Sequence, residues 1–313
     1  MNYRSINDLN ACIVANLHRL PCDIELIVGI PRSGLLAANL VALHLNLPMT
    51  DFDGYVEGRL LSGGWRLQTA RNRLQNIHRV KALILDDSVA SGRTVDEARA
   101  RVRAAGLEGN SIFGCVFAEP SAVSKVDFHF GVCPMPRVFE WNIFHHQPLL
   151  DRSCVDIDGV LCRDPLEAEN DDGEKYCEFL SSVTPLLIPS VKIGALVTCR
   201  LEKYRALTAQ WLKEHGVQYG ELIMMQYPNK QVRIQANRYA EFKAEIYAGR
   251  NAELFIESSA EQARSIVRLT NRSVFCVDTR EMLVPSVLPV KKFMRAFVWR
   301  LRGIMSRSKK STA

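Results

Sequence analysis

Short apolar runs recur along the chain, each followed by a turn of small or polar residues and then by a helical pattern. The first run covers residues 24–30 (IELIVGI) and leads into the turn Pro31-Arg32-Ser33-Gly34, after which apolar residues recur at helical spacing. Runs at 81–85 and 111–118 repeat this order. Continuous apolar runs of this length are typical of buried parallel strands, and their alternation with helices predicts an α/β fold.

The second half of the chain has the same pattern. Apolar runs within 153–161, 192–198 and 252–258 each carry polar residues at their C-terminal ends, and helical patterns separate them. A Pro-rich, aromatic stretch that ends near Gln147-Pro148 divides the two halves. The sequence therefore predicts two doubly wound α/β domains, residues 1–148 and 149–288, and a basic amphipathic helix over 289–313.

Composition and charge narrow the class of protein. The chain has 313 residues, of which 47% are hydrophobic and 24% charged, and no apolar run is long enough for a membrane-spanning helix. Nine cysteines stand singly, and the first residues lack the features of a secretory signal, so we expect a reducing, cytoplasmic location. Without the eight basic residues after Leu283, 32 basic residues face 34 acidic ones, which argues against a nucleic-acid partner for the folded body.

The segment LILDDSVASGRT (83–94) is the most informative of the first half. Asp86 and Asp87 end an apolar strand, and the small residues that follow meet Gly92 and Thr94 at a helix start. Backbone N–H groups of such a loop, together with the helix dipole and hydroxyl groups, can hold a phosphate monoester. The carboxylates could bind the vicinal hydroxyls of an attached sugar. The alternative is a Gly-rich turn without a ligand, which the paired carboxylates make less attractive.

This segment resembles the motif with which type I phosphoribosyltransferases bind phosphoribosyl pyrophosphate (PRPP), and the stretch from Gly29 to Gly34 resembles their pyrophosphate loop. The resemblance covers about residues 20–145. It implies that Val89 to Thr94 hold the 5-phosphate, that Asp86 and Asp87 bind the ribose hydroxyls, and that Arg32 to Gly34 hold the pyrophosphate with Mg²⁺. The full implied PRPP set is Arg32, Ser33, Gly34, Asp86, Asp87, Ser88, Val89, Ala90, Ser91, Gly92, Arg93 and Thr94.

Two further stretches bear on this resemblance. Residues 58–73 are rich in Arg and Gly and fit the mobile flap that closes over PRPP in the family, with Arg59 and Arg66 as its candidate contacts; an ordinary basic surface loop is the alternative.

Oxopurine-salvage members carry an Asp two residues before the Gly of the motif, where this chain has Ala90. A purine acceptor of that kind is therefore not expected.

The second half contains the constellation Asp156-Ile157-Asp158-Gly159 directly after an apolar strand. Two carboxylates two residues apart in such a loop can face one phosphate, one attacking phosphorus and the other giving a proton to the leaving oxygen. A calcium-loop fragment is the alternative, but the later ligands and flanking helices of an EF-hand are missing. Thr198, Lys243 and Glu257 follow at the ends of later strands or on a helix, with Lys230 as a second candidate lysine.

This set resembles the haloacid dehalogenase (HAD) phosphatases over about residues 151–288. The resemblance implies that Asp156 is the nucleophile, Asp158 the general acid and base, and that Thr198 and Lys243 bind the phosphoryl group. It also implies an Mg²⁺ ion held by Asp156, Asp158 and Glu257, a glutamate where aspartate is commoner. Only about 40 residues separate Asp158 from Thr198, and about 45 separate Thr198 from Lys243. These intervals leave no room for a large cap domain, so an open site with a large substrate is expected.

From Val290 onward, apolar residues recur at the spacing of one helix face, with Lys and Arg on the other face and Trp299 at the border. A basic amphipathic helix of this kind suits the surface of an anionic membrane. The alternative is a helix that packs on the body of the protein or on a second copy of the chain in a homo-oligomer.

Taken together, the two modules resemble the PRPP-dependent ribofuranosyltransferases of bacterial polysaccharide assembly. The resemblance implies transfer of 5-phosphoribose from PRPP to a hydroxyl of a lipid-linked glycan acceptor, and then removal of the 5-phosphate, at the inner face of the cytoplasmic membrane. Two alternatives stay open: a nucleobase acceptor coupled to nucleotide dephosphorylation, and a PRPP-sensing domain that regulates the phosphatase.

Overall fold

The computed structural model describes residues 1–61 and 76–285 of the chain. These form two compact units, with the division between Ile143 and Phe144. The sequence places the boundary five residues further on, between residues 148 and 149. Most of the predicted flap, including Arg66, and the whole predicted tail lie outside the described residues.

The first unit contains a parallel sheet and a separate short ladder. Its strands are β1 (Asn2–Arg4), β2 (Leu26–Gly29), β3 (Met49–Asp51), β4 (Ala82–Val89), β5 (Ser111–Ala118), β6 (Phe128–Val132) and β7 (Arg137–Phe139). Its helices are α1 (Ile6–Asn16), α2 (Ser33–Leu45), α3 (Phe52–Glu57) and α4 (Arg93–Ala104). The five-stranded sheet has the order β3-β2-β4-β5-β6, with all neighbours parallel, and β1 pairs in parallel with β7.

The second unit has its own six-stranded sheet. Its strands are β8 (Ser153–Val155), β9 (Ile193–Leu201), β10 (Tyr219–Met225), β11 (Leu254–Glu257), β12 (Val274–Cys276) and β13 (Glu281–Leu283). Its helices are α5 (Gln147–Leu150), α6 (Glu174–Ser182), α7 (Arg205–Glu214), α8 (Lys230–Ala236), α9 (Tyr239–Ala248) and α10 (Ala260–Thr270). The strand order is β10-β9-β8-β11-β12-β13, and only the β12–β13 pair among these is antiparallel. The α/β class with parallel sheets is thus confirmed.

Apolar side chains cover both faces of the first sheet, which explains why its strands read as continuous apolar runs. One cluster contains Leu26, Val28 and Ile84, and the other contains Ile27, Leu83 and Leu85, so that neighbouring residues of a strand enter opposite cores. Successive side chains of a strand point to opposite faces, and a sheet covered by helices on both sides buries both sets.

The strand order fixes where ligands can bind in each unit. In the first sheet β2 lies between β3 and β4, and in the second β8 lies between β9 and β11. In the first sheet the chain passes from β2 to β3 on one side and returns to β4 on the other side of β2. In the second sheet it passes from β8 to β9 on one side and returns to β11 on the other side of β8. Such a reversal opens a crevice at the carboxyl ends of the strands. The turn after β2 and the DxDG segment after β8 both lie at such a switch point.

Two predicted strand ends differ from the structure. The loop predicted over 86–94 begins later, because β4 continues through Val89, which pairs with Ala118 of β5. Thr198, predicted at a strand end, lies inside β9, which continues to Leu201. The pairing of β9 with β10 becomes irregular after Thr198. The strand therefore does not end at Thr198 but shifts its register there.

Among the residues that the structure describes, no helix has both the length and the apolar character needed to span a membrane.

Candidate active sites

In the first unit, Asp87 links three segments that are distant in sequence. The hydroxyl of Ser33 donates a hydrogen bond of 2.8 Å to Asp87 Oδ1, and the indole N–H of Trp141 donates one of 2.9 Å to Asp87 Oδ2. The Asp87 side chain is buried, so these donors compensate the loss of water around its carboxylate. The turn after β2, the end of β4 and the aromatic segment after β7 are thereby fixed to one another.

Trp141 was not among the predicted site residues. Its ring stacks on Phe139 at a centroid distance of 4.7 Å, and Phe139 stacks on Phe117 of β5. The sequence shows these aromatic residues only as a cluster near the end of the domain. Which of them contacts Asp87 depends on the position of β7 beside the main sheet.

Asp86 has a different environment from Asp87. Its Oδ1 accepts the backbone N–H of Asp87 at 2.9 Å. Burial, and next the nearby Asp87 carboxylate, raise the pKa of Asp86 to about 8. At neutral pH Asp86 is therefore protonated and can donate a hydrogen bond to a ligand, while Asp87 is already engaged by two donors.

Gly34 allows the turn after β2 to approach the Asp86 backbone. A Cβ atom at Gly34 would lie 2.7 Å from the carbonyl oxygen of Leu85 and 3.0 Å from Asp86 Oδ1. Only glycine permits this contact without displacing β4. Arg32 and the neighbouring Ser33 begin α2 at this point, and the Arg32 side chain is exposed.

A cavity of about 190 Å³ lies at the start of α4, and of the two carboxylates only Asp86 lines it. The predicted turn from Arg32 to Gly34 does not line it. Gly92 precedes the helix with a φ of 82°, and no side chain caps the helix start. The N–H of Arg93 contacts Ser91 Oγ at 3.4 Å, and the next N–H groups of α4 can face an anion, as the predicted 5-phosphate site requires. The cavity is lined by Asp86, Ser88, Val89, Ala90, Ser91, Gly92, Arg93, Thr94, Val95 and Arg137.

Arg137 is a second site residue that the sequence did not single out. It lies at the start of β7, and its Nη1 donates to the carbonyl oxygens of Cys133 and Phe117, at 3.2 and 3.4 Å. The guanidinium thereby presents a fixed positive charge to the cavity. Among the predicted arginines, Arg93 instead pairs with Glu97 at 2.9 Å, and Arg59 lies 3.4 Å from Asp51.

In the second unit, Lys243 joins two of the predicted carboxylates. Its ammonium lies 2.5 Å from Asp156 Oδ2 and 2.7 Å from Glu257 Oε2, and it also contacts Gln262 at 2.9 Å. The Lys243 side chain, on α9, is almost completely buried. Lys230, the other candidate, instead contacts the carbonyl oxygen of Asn170.

The strand pairing explains why Asp156 and Glu257 meet. Val155 of β8 pairs with Ile256 of β11, and the backbone N–H of Asp156 donates to the Ile256 carbonyl oxygen at 3.0 Å. Both carboxylates therefore leave adjacent parallel strands at the same level. Burial raises the pKa of Asp156 to about 7, against the effect of Lys243. Burial alone would lower the pKa of Lys243, but Asp156 and Glu257 together raise it above its ordinary value.

The carboxylate of Asp158 forms an ion pair with Arg200. It does not contact Lys243, which binds Asp156 and Glu257. Arg200 Nη2 donates to Asp158 Oδ1 at 2.6 Å, and Arg200 Nε lies 3.1 Å from both carboxylate oxygens. Arg200 lies in β9 and is fully buried. It was not predicted, although it stands only two residues after Thr198. Thr198 is itself fully buried, and its hydroxyl accepts the backbone N–H of Arg200 at 3.2 Å.

The three carboxylates predicted to bind Mg²⁺ are not arranged as one metal-binding cluster. In the described part of the chain no group of three His, Cys, Asp or Glu side chains lies close enough to hold a metal ion. The side chain of Asp158 is directed to Arg200, and its role as a metal ligand stays a prediction. Asp156 and Glu257 remain a pair of hard oxygen donors of the type that Mg²⁺ prefers, with the ammonium of Lys243 between them.

A cavity of about 210 Å³ opens above Asp156. Of the predicted residues, Asp156, Asp158 and Lys243 line it, whereas Thr198 and Glu257 lie beneath its surface. Its wall is completed by residues from the segments before α6 and around α8 and α9. The full lining is Asp156, Asp158, Asp164, Pro165, Asn170, Tyr176, Cys199, Arg233, Tyr239, Lys243 and Gln262.

Comparison with known proteins characterises the first unit. Residues 3–153 match the family model of the phosphoribosyl transferase domain. The chain thus contains a type I phosphoribosyltransferase domain in its N-terminal half, as the motif at residues 83–94 predicted. The match extends ten residues into the second unit and leaves the HAD resemblance of that unit untested. No protein of curated function matches the chain.

Similar solved structures include two phosphoribosyltransferases. The purine phosphoribosyltransferase from Pyrococcus horikoshii Ot3 is 16% identical, with 45% of this chain and 92% of that chain covered and a TM-score of 0.34. The xanthine-guanine-hypoxanthine phosphoribosyltransferase from Helicobacter pylori is also 16% identical, with the same coverage and a TM-score of 0.32. A chain of the Pnkp1/Rnl/Hen1 complex is 18% identical, with 82% of this chain and 97% of that chain covered and a TM-score of 0.28.

Proposed function

We propose that this protein is a bifunctional ribofuranosyltransferase. The phosphoribosyltransferase domain transfers 5-phosphoribose from PRPP to a hydroxyl of a glycan acceptor and releases pyrophosphate, with inversion at C1 to a β linkage. The second domain then hydrolyses the 5-phosphate and leaves ribofuranose on the acceptor. The observation that carries the proposal is the presence of two separate sites in one chain, each with a cavity of about 190 to 210 Å³ that at least one acidic side chain lines, at the carboxyl ends of a parallel sheet.

In the first reaction, the start of α4 holds the 5-phosphate of PRPP through backbone N–H groups and the Ser91 and Thr94 hydroxyls. Protonated Asp86 donates to one ribose hydroxyl, and Asp87 accepts from the other while Ser33 and Trp141 keep its carboxylate in place. The turn from Arg32 to Gly34 binds the pyrophosphate. When C1–O cleavage begins, the ribose develops positive charge, and the carboxylate of Asp87 stabilises it.

The wall of the first cavity favours a hydroxyl acceptor over an oxopurine. Ala90 contributes a methyl group at the position where oxopurine-salvage enzymes carry a carboxylate for the base. An oxopurine would therefore leave its polar ring atoms without that partner, which disfavours binding. The phosphatase domain in the same chain gives a second argument, because it removes the phosphate that the transfer step leaves on the product.

In the second reaction, Asp156 attacks phosphorus and the bond between phosphorus and the ribose oxygen breaks, which gives an aspartyl phosphate. For this step Asp158 carries a proton, which it takes up when part of its contact with Arg200 is released on substrate binding, and it gives that proton to the leaving ribose oxygen. Water then attacks the aspartyl phosphate, Asp158 accepts its proton, and inorganic phosphate leaves. Lys243 holds Asp156 in position and balances its charge throughout.

Mg²⁺ fits the second site through the oxygens of Asp156 and Glu257, which are buried side by side. When bound, the ion supplies positive charge for the phosphoryl oxygens. The present contacts of Lys243 show that the protein already places one positive charge between these carboxylates.

The basic tail supports an acceptor at a membrane. Its sequence, which lies outside the described residues, combines eight basic residues with apolar residues at helical spacing, and a segment with this pattern suits anionic lipid surfaces. A lipid-linked glycan would then be presented to both domains at the membrane surface.

Product analysis tests the proposed function. The full chain is incubated with PRPP, Mg²⁺ and synthetic glycan acceptors, and in parallel with nucleobases, and products are identified by mass spectrometry. We expect a pentose added to a glycan, and no product from the variant with Asp86 and Asp87 both replaced by Ala. Nucleoside formation from a base would support salvage instead, and absence of PRPP consumption with every acceptor would support the regulatory alternative.

A further inference from the structure

Around the cavity above Asp156, Lys243 and Arg200 are already paired with carboxylates of the protein. Lys243 is shared by the two carboxylates of Asp156 and Glu257, and Arg200 is engaged by Asp158. Asp164 adds a further acidic group to the wall, and burial raises its pKa. A phosphate dianion that enters this cavity would meet carboxylates whose nearby protein cations are already paired, so a further positive side chain in the wall would favour its binding.

Arg233 is the cation of the cavity wall that lacks such a partner. Within residues 1–61 and 76–285, no carboxylate forms an ion pair with it, and its Nε is buried without a hydrogen-bond partner. A buried guanidinium N–H without an acceptor is costly, and the cost is removed when an anion binds. The observation is independent of the five residues on which the HAD resemblance rests.

The structure also holds Arg233 in place. Its Nη1 donates to the carbonyl oxygen of Cys199 at 2.7 Å, so the guanidinium lies beside the strand segment that follows Thr198. Its ring neighbour is Tyr239, with the guanidinium carbon 5.9 Å from the ring centroid. Helix α8 begins with the Asn229 side chain as its N-cap, which fixes the helix that carries Arg233.

We propose that Arg233 binds the phosphate group of the phosphatase substrate. By this contact it distinguishes glycan ends that carry a phosphorylated sugar from ends that do not. The proposal rests on the proposed function of the second domain. The cavity of about 210 Å³ accommodates a phosphoryl group and one pentose ring, while Tyr176, Tyr239 and Asn170 supply the aromatic and amide surface that sugars contact. The rest of the glycan remains outside.

The test measures binding and turnover separately. Affinity for inorganic phosphate is measured by calorimetry, and kcat and KM are measured with ribose 5-phosphate. The variants are Arg233→Gln, which removes the charge, and Arg233→Lys, which keeps it. Arg238→Gln is the matched control, because Arg238 follows closely on the same segment, pairs with Glu245 at the surface and does not line the cavity. Circular dichroism checks that every variant is folded.

We expect Arg233→Gln to weaken phosphate binding about 10- to 100-fold and to raise KM by a similar factor, since charge-assisted hydrogen bonds to phosphate are strong. Arg233→Lys should recover part of this loss, and Arg238→Gln should behave as the unaltered protein. A structural role alone would lower kcat or stability equally in the Gln and Lys variants.

The outcomes separate the two proposals. If Arg233→Gln binds phosphate as tightly as the unaltered protein, the assignment of Arg233 is wrong, even when hydrolysis is observed. If the unaltered protein binds phosphate through Arg233 but hydrolyses no phosphate ester, the phosphatase function fails and the binding role of Arg233 stands. If the unaltered protein does not bind phosphate at all, the Arg233 proposal is overturned.

Discussion

The guanidinium of Arg200 binds the carboxylate of Asp158 through three contacts of 2.6 to 3.1 Å, and Arg200 is fully buried. A buried guanidinium without its carboxylate would remain as an uncompensated charge. The pair therefore fixes the loop that follows β8 to strand β9. It also fixes the carboxylate of Asp158, to which we assign proton transfer.

Replacing Arg200 by Met should destabilise the protein by about 3–5 kcal/mol, because Asp158 would keep a charge with no partner. Urea unfolding measures the change. In the double variant with Asp158→Asn the cost should be smaller than the sum of the two single costs, since both members of the pair are removed together. Additive costs would show that the pair contributes no coupling energy.

Trp141→Phe should weaken PRPP binding about tenfold while the aromatic stack is kept, because Asp87 loses one of its two donors and its carboxylate is less well oriented. Trp211→Phe is the matched control: its indole N–H donates to the buried Val183 carbonyl oxygen in the second domain. Calorimetric titration with PRPP compares the two. Equal losses in both variants would point to general destabilisation.

Asp86→Asn should raise the melting temperature relative to the unaltered protein, and the difference should grow as pH rises from 5 to 8. The folded pKa of Asp86, about 8, exceeds the ordinary value of 3.8. Between these values the folded protein holds a proton that the unfolded chain has lost, so the free energy of unfolding falls with pH by up to about 1.4 kcal/mol per unit from this group. Asparagine removes that dependence. Thermal unfolding at several pH values measures it, and a constant difference would exclude the raised pKa.

Asp156→Asn should stop the reaction after transfer. Asparagine keeps the shape of the side chain but is a poor nucleophile, so no aspartyl phosphate forms, whereas transfer from PRPP at the other site does not involve Asp156. Mass spectrometry should then detect an acceptor that carries ribose 5-phosphate, heavier than the final product by one phosphate group. Addition of the Asp86/Asp87 double Ala variant, which retains the phosphatase site, should convert this species to the final product. Release of fully dephosphorylated product at the normal rate by Asp156→Asn alone would contradict the sequential scheme.

Truncation before Val290 should abolish binding to anionic liposomes and leave activity on soluble substrates unchanged. Each Lys or Arg near an anionic surface contributes about 1 kcal/mol, and salt screens this attraction. Liposome flotation at low and high salt measures the binding of the full chain and the truncated chain. If the full chain does not bind anionic liposomes at low salt, the tail has another partner, such as the body of the protein or a second copy.

The sequence by itself determined the features that depend on neighbouring residues. Apolar runs followed by polar turns identified the strands and the α/β class, because a strand buried on both faces must be apolar throughout. The Asp86-Asp87 pair and the small residues after it predicted a strand end, a glycine turn and a helix start, which are local structures, and the phosphate site assigned to them stays a prediction. The strand limits were less accurate: β4 extends to Val89 because β5 offers partners for it, which residues 86–89 alone do not reveal.

The tertiary structure decided which distant side chains meet. Trp141 contacts Asp87 across 54 residues, Arg200 contacts Asp158 across 42, and Lys243 contacts Asp156 across 87. Each contact depends on strand order, on register or on the rotation of a packed helix. From the sequence alone, other basic or aromatic residues in the same segments would be equally good candidates for partners of these carboxylates. The sequence thus named the carboxylates and Lys243, with Lys230 as a second candidate. Only the packing of the sheets and helices selected Trp141 and Arg200 as partners of the carboxylates and placed Arg233 in the cavity wall.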